Sequence, residues 1–541
     1  MSPPDVPLDS LQDFISAIDA MGELVRISHP VRAKLELCEI ADRTSKLPGG
    51  GPALLFEHVI LDSGARSAYP VGINLFGSMT RMALALGVKN LDEHGARITE
   101  LLNLKVPDGF MGKLGLLPRL LEISKFPPRV KSSSAACQEV VWRGDEIDLD
   151  RIPVITCWPE DGGPYITLSA VVSKDPVRGI RNVGMYRVQK LDRRTVAMHW
   201  QRHKTGAEHY REMAERGETM PVCIVVGADP ASVYSASAPL PPAVDEFIFA
   251  GFLRREPVTL TKAVSCDLEV PANAELVIEG YIDPREALVV EGPFGDHTGF
   301  YSEADLYPKV HITAITMRKQ MVYGTTIVGK PPMEDFYLGH ATERIFLPLL
   351  KLTTPEIVDY HMPAEGVFHN LVLVSIDKKY PGHAYKVMNA LWGAGLMSLA
   401  KVIVVVDKDI DVRNVSETWW AALNNIDPER DVRFTMGPVD VLDHSSRAFS
   451  YGSKMGIDAT RKWPEEGFTR NWPKLIEMDK ATVQKVDAIW DKLGIDVVRH
   501  AAHAEPRWRH RGDAGAVLHR SGWPADPVAG REVLRRRRIP R

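Results

Sequence analysis

Three short segments concentrate the side chains that acid–base, anion-binding and metal chemistry require. The first is Asn182-Val-Gly-Met-Tyr-Arg187. On a strand, Asn182, Gly184 and Tyr186 share one face while Val183, Met185 and Arg187 share the other. Arg187 offers a permanently charged fork suited to a carboxylate or phosphate, although a surface salt bridge would use it equally well. The second is Met198-His-Trp-Gln-Arg-His203-Lys-Thr-Gly206. His199 and His203 stand four apart, which would align them for a metal on a helix. Their neighbours read as a strand entering a turn, however, and ordinary polar packing accounts for such a pair. Asn182, His203 and an acid would make a mixed oxygen and nitrogen set suited to Mn2+ or Mg2+. Glu246, opening a helix after Pro241-Pro242, is a candidate third ligand; an acid is favoured at a helix N-terminus in any case. The third segment is Glu291-Gly-Pro-Phe-Gly-Asp296-His-Thr-Gly299. Its Gly/Pro turn can project both carboxylates, with Arg187 nearby, into one pocket. Paired acids beside an Arg can split their pKa values and leave one able to shuttle a proton. A plain surface turn has the same composition.

The elements that must position these groups fall into three regions. Leu11, Phe14, Ile15 and Ile18 recur at helical spacing after Asp9 or Ser10 as N-cap, so the chain opens with an amphipathic helix. Strands at 24–27, 53–56 and 69–73 and a helix at 79–86 continue an α/β pattern to about residue 118. The Pro-, Lys- and Ser-rich stretch 126–136 suggests a linker. Short β-rich runs follow at 165–172, 182–189, 195–199, 222–226, 275–282, 310–317 and 320–327, with helices at 207–215 and 244–253. Many short strands separated by turns indicate a barrel or a sandwich. Beyond 335, helix 341–351, strand 370–376, helix 384–392, strand 401–406 and helix 416–424 give a βαβ rhythm and a parallel sheet. No GxGxxG follows those strands. A last helix is expected at 482–492.

Composition bounds the class. A chain of 541 residues exceeds one core, and 45% hydrophobic with 25% charged residues is ordinary for a globular protein. The five cysteines form no CxxC pair, which argues against a disulfide framework or structural zinc and fits a reducing cytoplasm. No basic and then apolar leader is visible, and the apolar runs are too short to span a membrane, so a cytoplasmic location is expected. Residues 499–541 hold eleven Arg against four acids, a net +7, leaving −11 for the rest of a chain whose total is −4. An acidic body does not suit nucleic-acid binding, and the Arg-rich tail reads as a disordered, solvated appendage.

Together the three segments resemble the UbiD family of prenylated-FMN-dependent decarboxylases. The resemblance covers roughly residues 8–495 in the family's order: GELVRI, NLFGS with Arg81, NVGMYR, EGPFGDHTGFY, VGKPPMEDFYLG and SKMGIDATRKW. Within the family it is closest to the 3-octaprenyl-4-hydroxybenzoate carboxy-lyase and menaquinone-type group. It implies an N-terminal α/β domain (1–118), a central split β-barrel that binds prenylated FMN (119–330), a C-terminal α/β oligomerisation domain with a parallel sheet (331–498) and the basic tail (499–541). It implies that Asn182, His203 and Glu246 hold a divalent metal, usually Mn2+, with K+ as an accessory ion. Cofactor contacts implied are Asn182, Met185, Tyr186, Arg187, His199, Trp200, Gln201, Arg202, His203, Lys204, Glu246 and, by a looser alignment, Lys401. Arg187, Glu291 and Asp296 match the catalytic network; some members carry Glu where this chain has Asp296. Implied partners are an aromatic or unsaturated acid, a flavin prenyltransferase that supplies the cofactor, and further copies of the chain as a dimer or hexamer. A prenylated substrate would add peripheral membrane contact.

The chemistry follows from need. Losing CO2 from an sp2 carbon leaves a carbanion in the plane of the π system, where nothing delocalises it, so an electron sink that bonds to the substrate is required. The protein then has to bind, orient and supply a proton. Asp296, tuned by Glu291 and Arg187, is expected to protonate the carbon, with Arg187 orienting the carboxylate; the reaction is reversible in principle. Rival readings are a flavin reductase or electron-transfer protein on the same barrel, a hydrolase using His199 and His203 with metal alone, and a scaffold with a degenerate site.

Overall fold

The computed structural model describes residues 8–103, 123–201, 204–241 and 244–494. The chain divides into a large unit, residues 1–474, and a second unit, 475–541.

The large unit opens with the expected helix, Leu11–Ala20, capped by Ser10, whose hydroxyl accepts from the Asp13 N–H. Its apolar stripe Leu11, Phe14, Ile15 and Ile18 is buried in a core shared with the barrel residues Val172, Val225 and Ala274. Beside it lies a four-stranded sheet in the order Leu24–Ile27, Ala53–Phe56, Val71–Ile73 and Tyr323–Gly324. The last strand corrects an expectation: the 320–327 run yields two strand residues, and they join this sheet, parallel to Val71 and Gly72. Arg81, fully buried, explains two of the quoted motifs. Its guanidinium donates to Glu23 of GELVRI at 2.6 Å and to the Gly51 carbonyl at 2.9 Å, welding the helix Met79–Ala85 to the sheet. The 126–136 stretch is not a free linker. Phe126 is buried edge-on against Phe252 at 5.4 Å, and Arg129–Val130 pairs parallel to Thr259–Leu260.

The central sheet has nine strands, ordered Arg181–Met185, Ser169–Lys174, Met220–Val226, Leu276–Ile282, Lys309–Met317, Thr195–Met198, Val188–Lys190 and Tyr165–Ile166, with Val140–Arg143 also pairing Lys309–Met317. This order requires curling. Arg181–Met185 stands at one end of the sheet and Val188–Lys190 next to the other, yet two residues, Tyr186 and Arg187, connect them. Consecutive Cα atoms are about 3.8 Å apart, so the two ends must meet. The result is a split barrel with Tyr186 and Arg187 in the split. Helices Thr205–Arg216 and Glu246–Arg254 match expectation within two residues.

The C-terminal sheet runs Ile357–His361, Leu371–Ile376, Val402–Asp407, Tyr451–Asp458 and Val432–Pro438. Its three central strands are parallel, as the βαβ rhythm predicts, and both edges are antiparallel. Helices His383–Trp392 and Val415–Asn425 flank the parallel strands in sequence. The helix expected at 341–351 is longer, Glu334–Thr353, and carries Pro348 inside it. Glu343 on that helix accepts from His361 Nδ1 at 2.9 Å and from the Met362 N–H at 2.7 Å, with His340 Nδ1 at 2.6 Å. These contacts lock the helix to the edge strand.

The second unit contains the helix Lys480–Asp487, capped by Asp479, and a 3-10 turn Trp490–Leu493. The Arg-rich tail lies outside the described residues. Among those described, no helix is long and apolar enough to cross a membrane, and all five cysteines are free thiols.

Candidate active site

Arg187 leaves the sheet where the barrel is split, and its buried guanidinium gathers both predicted acids. Nε donates to Glu291 Oε1 at 2.9 Å, Nη2 to Glu291 Oε2 and to Ser302 Oγ at 3.1 Å each, and Nη1 to Asp296 Oδ2. Four of its five N–H groups are thus engaged by described residues, leaving one on Nη1. The Phe294 ring lies 4.8 Å from the guanidinium carbon.

The loop between the acids is shaped for this grip. Glu291 ends the short strand Val289–Glu291, paired with Asp305–Tyr307. Gly292 then adopts φ +95°, a conformation open to glycine, and its N–H donates to Gln189 Oε1 at 2.9 Å. A Cβ on Gly295 would lie 2.1 Å from Trp158 Cδ1, so only glycine lets the loop pass. The Gly295 N–H donates to Asp161 Oδ1 at 2.8 Å, and Asp161 Oδ2 accepts from the N–H groups of Cys157 and Trp158. Asp161 is therefore an anchor of the acid loop that the sequence reading did not single out.

Electrostatics corrects one expectation. The two acids do not split their pKa values. Burial pushes Glu291 up, but hydrogen bonds from His199 and Arg187 outweigh it and hold the carboxyl at about 2. Burial also pushes Asp296 up, and there hydrogen bonding from His297 and the Arg187 charge hold it well below the usual carboxylate range. The cause is that Arg187 touches both, and each acid has a second donor. His199, offered as half of a metal pair, instead places Nδ1 2.9 Å from Glu291 Oε2, with its ring 4.4 Å from that of Tyr307.

A cavity of about 730 Å³ opens beside this cluster. Of the predicted contacts, Met185, Tyr186, Arg187, His199, Gln201 and Lys204 line it, as does Asp296. Trp200 packs behind, edge-on to Tyr186 at 6.1 Å. Lys401 does not reach the cavity: its ammonium lies 3.0 Å from Asp443 and 2.6 Å from Ser445. The sequence reading gave no role to four polar residues on the lining, His297, Asp335, His369 and Asp440. His297 and Asp335 were within quoted motifs, EGPFGDHTGFY and VGKPPMEDFYLG; His369 and Asp440 come from the C-terminal region, and no local pattern announces them.

The donor set at the split can be tested for a metal. Arg202 and His203 lie outside the described residues. Asn182 is buried, and its Nδ2 has no partner among the described residues. Turning the amide would present its oxygen there instead. Glu246, the first residue of the helix Glu246–Arg254, accepts from the Val183 N–H at 2.8 Å, and burial raises its carboxyl to about 8. A buried amide with an unpartnered nitrogen, next in sequence to the Val183 whose N–H Glu246 accepts, and a buried acid that the Arg181 charge only partly offsets make a donor set that a divalent ion would complete.

Three family models match: the N-terminal domain of 3-octaprenyl-4-hydroxybenzoate carboxy-lyase over residues 15–98, its Rift-related domain over 128–331 and its C-terminal domain over 336–459. An uncharacterized protein of Aquifex aeolicus is 53% identical over 486 residues, spanning 90% of this chain and 99% of that one. Among solved structures, the closed form of vanillic acid decarboxylase from Sedimentibacter hydroxybenzoicus aligns with a TM-score of 0.77 at 29% identity, covering 91% of this chain and 100% of that one. An evolved dimeric form of the UbiD-class enzyme HmfF from Pelotomaculum thermopropionicum, in complex with prFMN, aligns with a TM-score of 0.69 at 28% identity, covering 88% and 99%.

Proposed function

The chain belongs to the UbiD family of decarboxylases, and we propose that it removes CO2 non-oxidatively from an aromatic or α,β-unsaturated acid, of the 4-hydroxybenzoate or quinone-precursor type. The observation that carries this reading is the single buried guanidinium of Arg187 held by Glu291 and Asp296 at the lining of the cavity. A flavin reductase has no use for that cluster.

Prenylated FMN and a divalent metal such as Mn2+ are the proposed bound groups. HmfF, in one of its structures, carries prFMN on this fold. Asn182, His203 and Glu246 would hold the metal, Met185, Tyr186, Arg187, His199, Gln201 and Lys204 on the cavity lining would contact the flavin, and Trp200 would back them. When bound, the flavin supplies the electron sink that decarboxylation at an unsaturated carbon needs. The chain's own residues do the rest. The remaining Nη1–H of Arg187 orients the substrate carboxylate, the two fixed acids keep the guanidinium from turning, and Asp296 delivers a proton to the carbon that loses CO2. The same family relationship supports an assembly of several copies and a flavin prenyltransferase as cofactor supplier. The test is purification with a source of prenylated FMN, followed by CO2 release from a panel of aromatic acids; a loaded enzyme that releases none defeats the reading.

A further inference from the structure

Both acids are held ionised, so the proton that must reach the substrate carbon rests elsewhere. We propose that His297 stores this proton and hands it to Asp296, and that His369 holds the His297 ring in the orientation that permits the transfer. This rests on the decarboxylase reading above.

His297 lies on the acid loop and lines the cavity. Its Nδ1 is 2.9 Å from Asp296 Oδ1, the oxygen that also accepts the His297 backbone N–H at 2.7 Å, while Oδ2 faces Arg187. On the opposite edge, His297 Nε2 lies 3.1 Å from His369 Nε2. Of two ring nitrogens in contact, one donates and the other accepts. His369 Nδ1 is 3.2 Å from Asn370 Oδ1, an acceptor with the amide as placed, so His369 carries its proton on Nδ1 and accepts at Nε2. His297 then donates from both nitrogens and is an imidazolium.

The surrounding groups favour that charge. Asp296 faces His297 from its own loop, Asp335 from the first turn of the Glu334–Thr353 helix and Asp440 from the loop after the Val432–Pro438 strand; His369 and the Phe368 ring, stacked at 5.7 Å, come from the segment before Leu371–Ile376. Burial pulls His297 down, but the hydrogen bond to Asp296 and the charges of Asp296, Asp335 and Asp440 outweigh it and raise the imidazole to about 9. Burial lifts Asp335 to about 7. Burial lowers His369, as does the neighbouring His297, against the pull of Asp440, so His369 is the neutral partner.

The transfer balances. The C–C bond to the carboxylate breaks, CO2 leaves, and the electron pair stays on the carbon side. The Nδ1–H bond of His297 breaks as an O–H bond forms on Asp296; that O–H then breaks as the new C–H bond forms. Neutral His297 regains a proton from water once product has left.

The test uses enzyme loaded with prenylated FMN. The wild type is expected to lose kcat above about pH 9. His297→Gln is expected to lose about 100-fold in kcat with KM little changed, and to lose the basic limb. Imidazole in the medium should restore turnover to His297→Ala. His369→Leu should lower kcat less and keep the limb. Independently of the cofactor, 15N spectra of histidine-labelled protein at neutral pH should show an imidazolium that is missing from His297→Gln. Unchanged kcat and basic limb in His297→Gln, or a neutral His297 in the spectra, overturns the assignment and leaves the decarboxylase standing. A wild type that releases no CO2 strikes the reading beneath it instead.

Discussion

His297 Nε2 lies 3.1 Å from His369 Nε2, so the loop that carries the acids touches the segment leading into the parallel sheet. Both rings line one cavity, together with Arg187 and Asp296 from the barrel and Asp335 and Asp440 from the C-terminal region. A substrate there meets polar groups from both regions. That places orientation on the barrel side and leaves the C-terminal side free to tune the proton supply.

Asp296→Asn keeps a hydrogen-bonding partner for Arg187 and removes the group that passes a proton to carbon. The cofactor and metal should bind as in the wild type, and kcat should fall by about 100-fold or more. Steady-state CO2 release, set beside the flavin absorbance of the same sample, checks this. Normal turnover would remove Asp296 from the proton path.

Arg187→Leu leaves Glu291 and Asp296 buried without their cation. Breaking a buried ion pair from one side costs about 3–5 kcal/mol. Urea unfolding of wild type and variant should show a loss of that order, accompanied by loss of activity. A loss below about 1 kcal/mol would mean that other donors, His199 and His297 among them, satisfy the acids.

Glu246→Gln should fold, because the amide can still accept from the Val183 N–H, now 2.8 Å from the carboxylate. It should lose bound Mn2+ and, with it, retain less flavin phosphate. Elemental analysis and absorbance after desalting measure both. Full metal content in the variant would move the metal away from Glu246.

How much of this was legible in the sequence depends on whether the signal was local. NVGMYR and EGPFGDHTG carry Arg187, Glu291 and Asp296, and the structure brings all three together. The barrel could be expected from its many short strands, but its closure through Tyr186 and Arg187 is a matter of strand order, which periodicity does not encode. The strands Ile357–His361, Val432–Pro438 and Tyr451–Asp458 went unread: Val-Arg-Phe-Thr-Met alternates apolar and polar residues over 432–436 and carried a strand signal that was missed, whereas Tyr451–Asp458 is broken up by Gly452, Ser453 and Gly456. His369 meets His297 across 72 residues of chain, a contact made by tertiary folding alone. The expected split between the acids failed for the same reason: the second donors on each carboxylate, His199 and His297, are seen only once the loop is placed.

Glu343 makes the fold acid-sensitive. Burial alone would raise its carboxyl, but the hydrogen bonds from His340 and His361 hold it at about 2, against an ordinary 4.5. A carboxylate depressed on folding stabilises the fold above its unfolded value, and that contribution is lost as pH falls from about 4.5 towards about 2. Denaturant midpoints should therefore decline over this window in the wild type. Glu343→Gln should be less stable near neutrality and decline less; an identical pH profile would show that the cluster does not couple to folding.

The central claim is tested most directly by CO2 release from enzyme purified with prenylated FMN and supplied with aromatic acids. The prediction is CO2 in proportion to acid consumed, dependent on the loaded flavin and abolished in Asp296→Asn. Oxidation of NAD(P)H without CO2, or turnover with metal alone and no flavin, would contradict it.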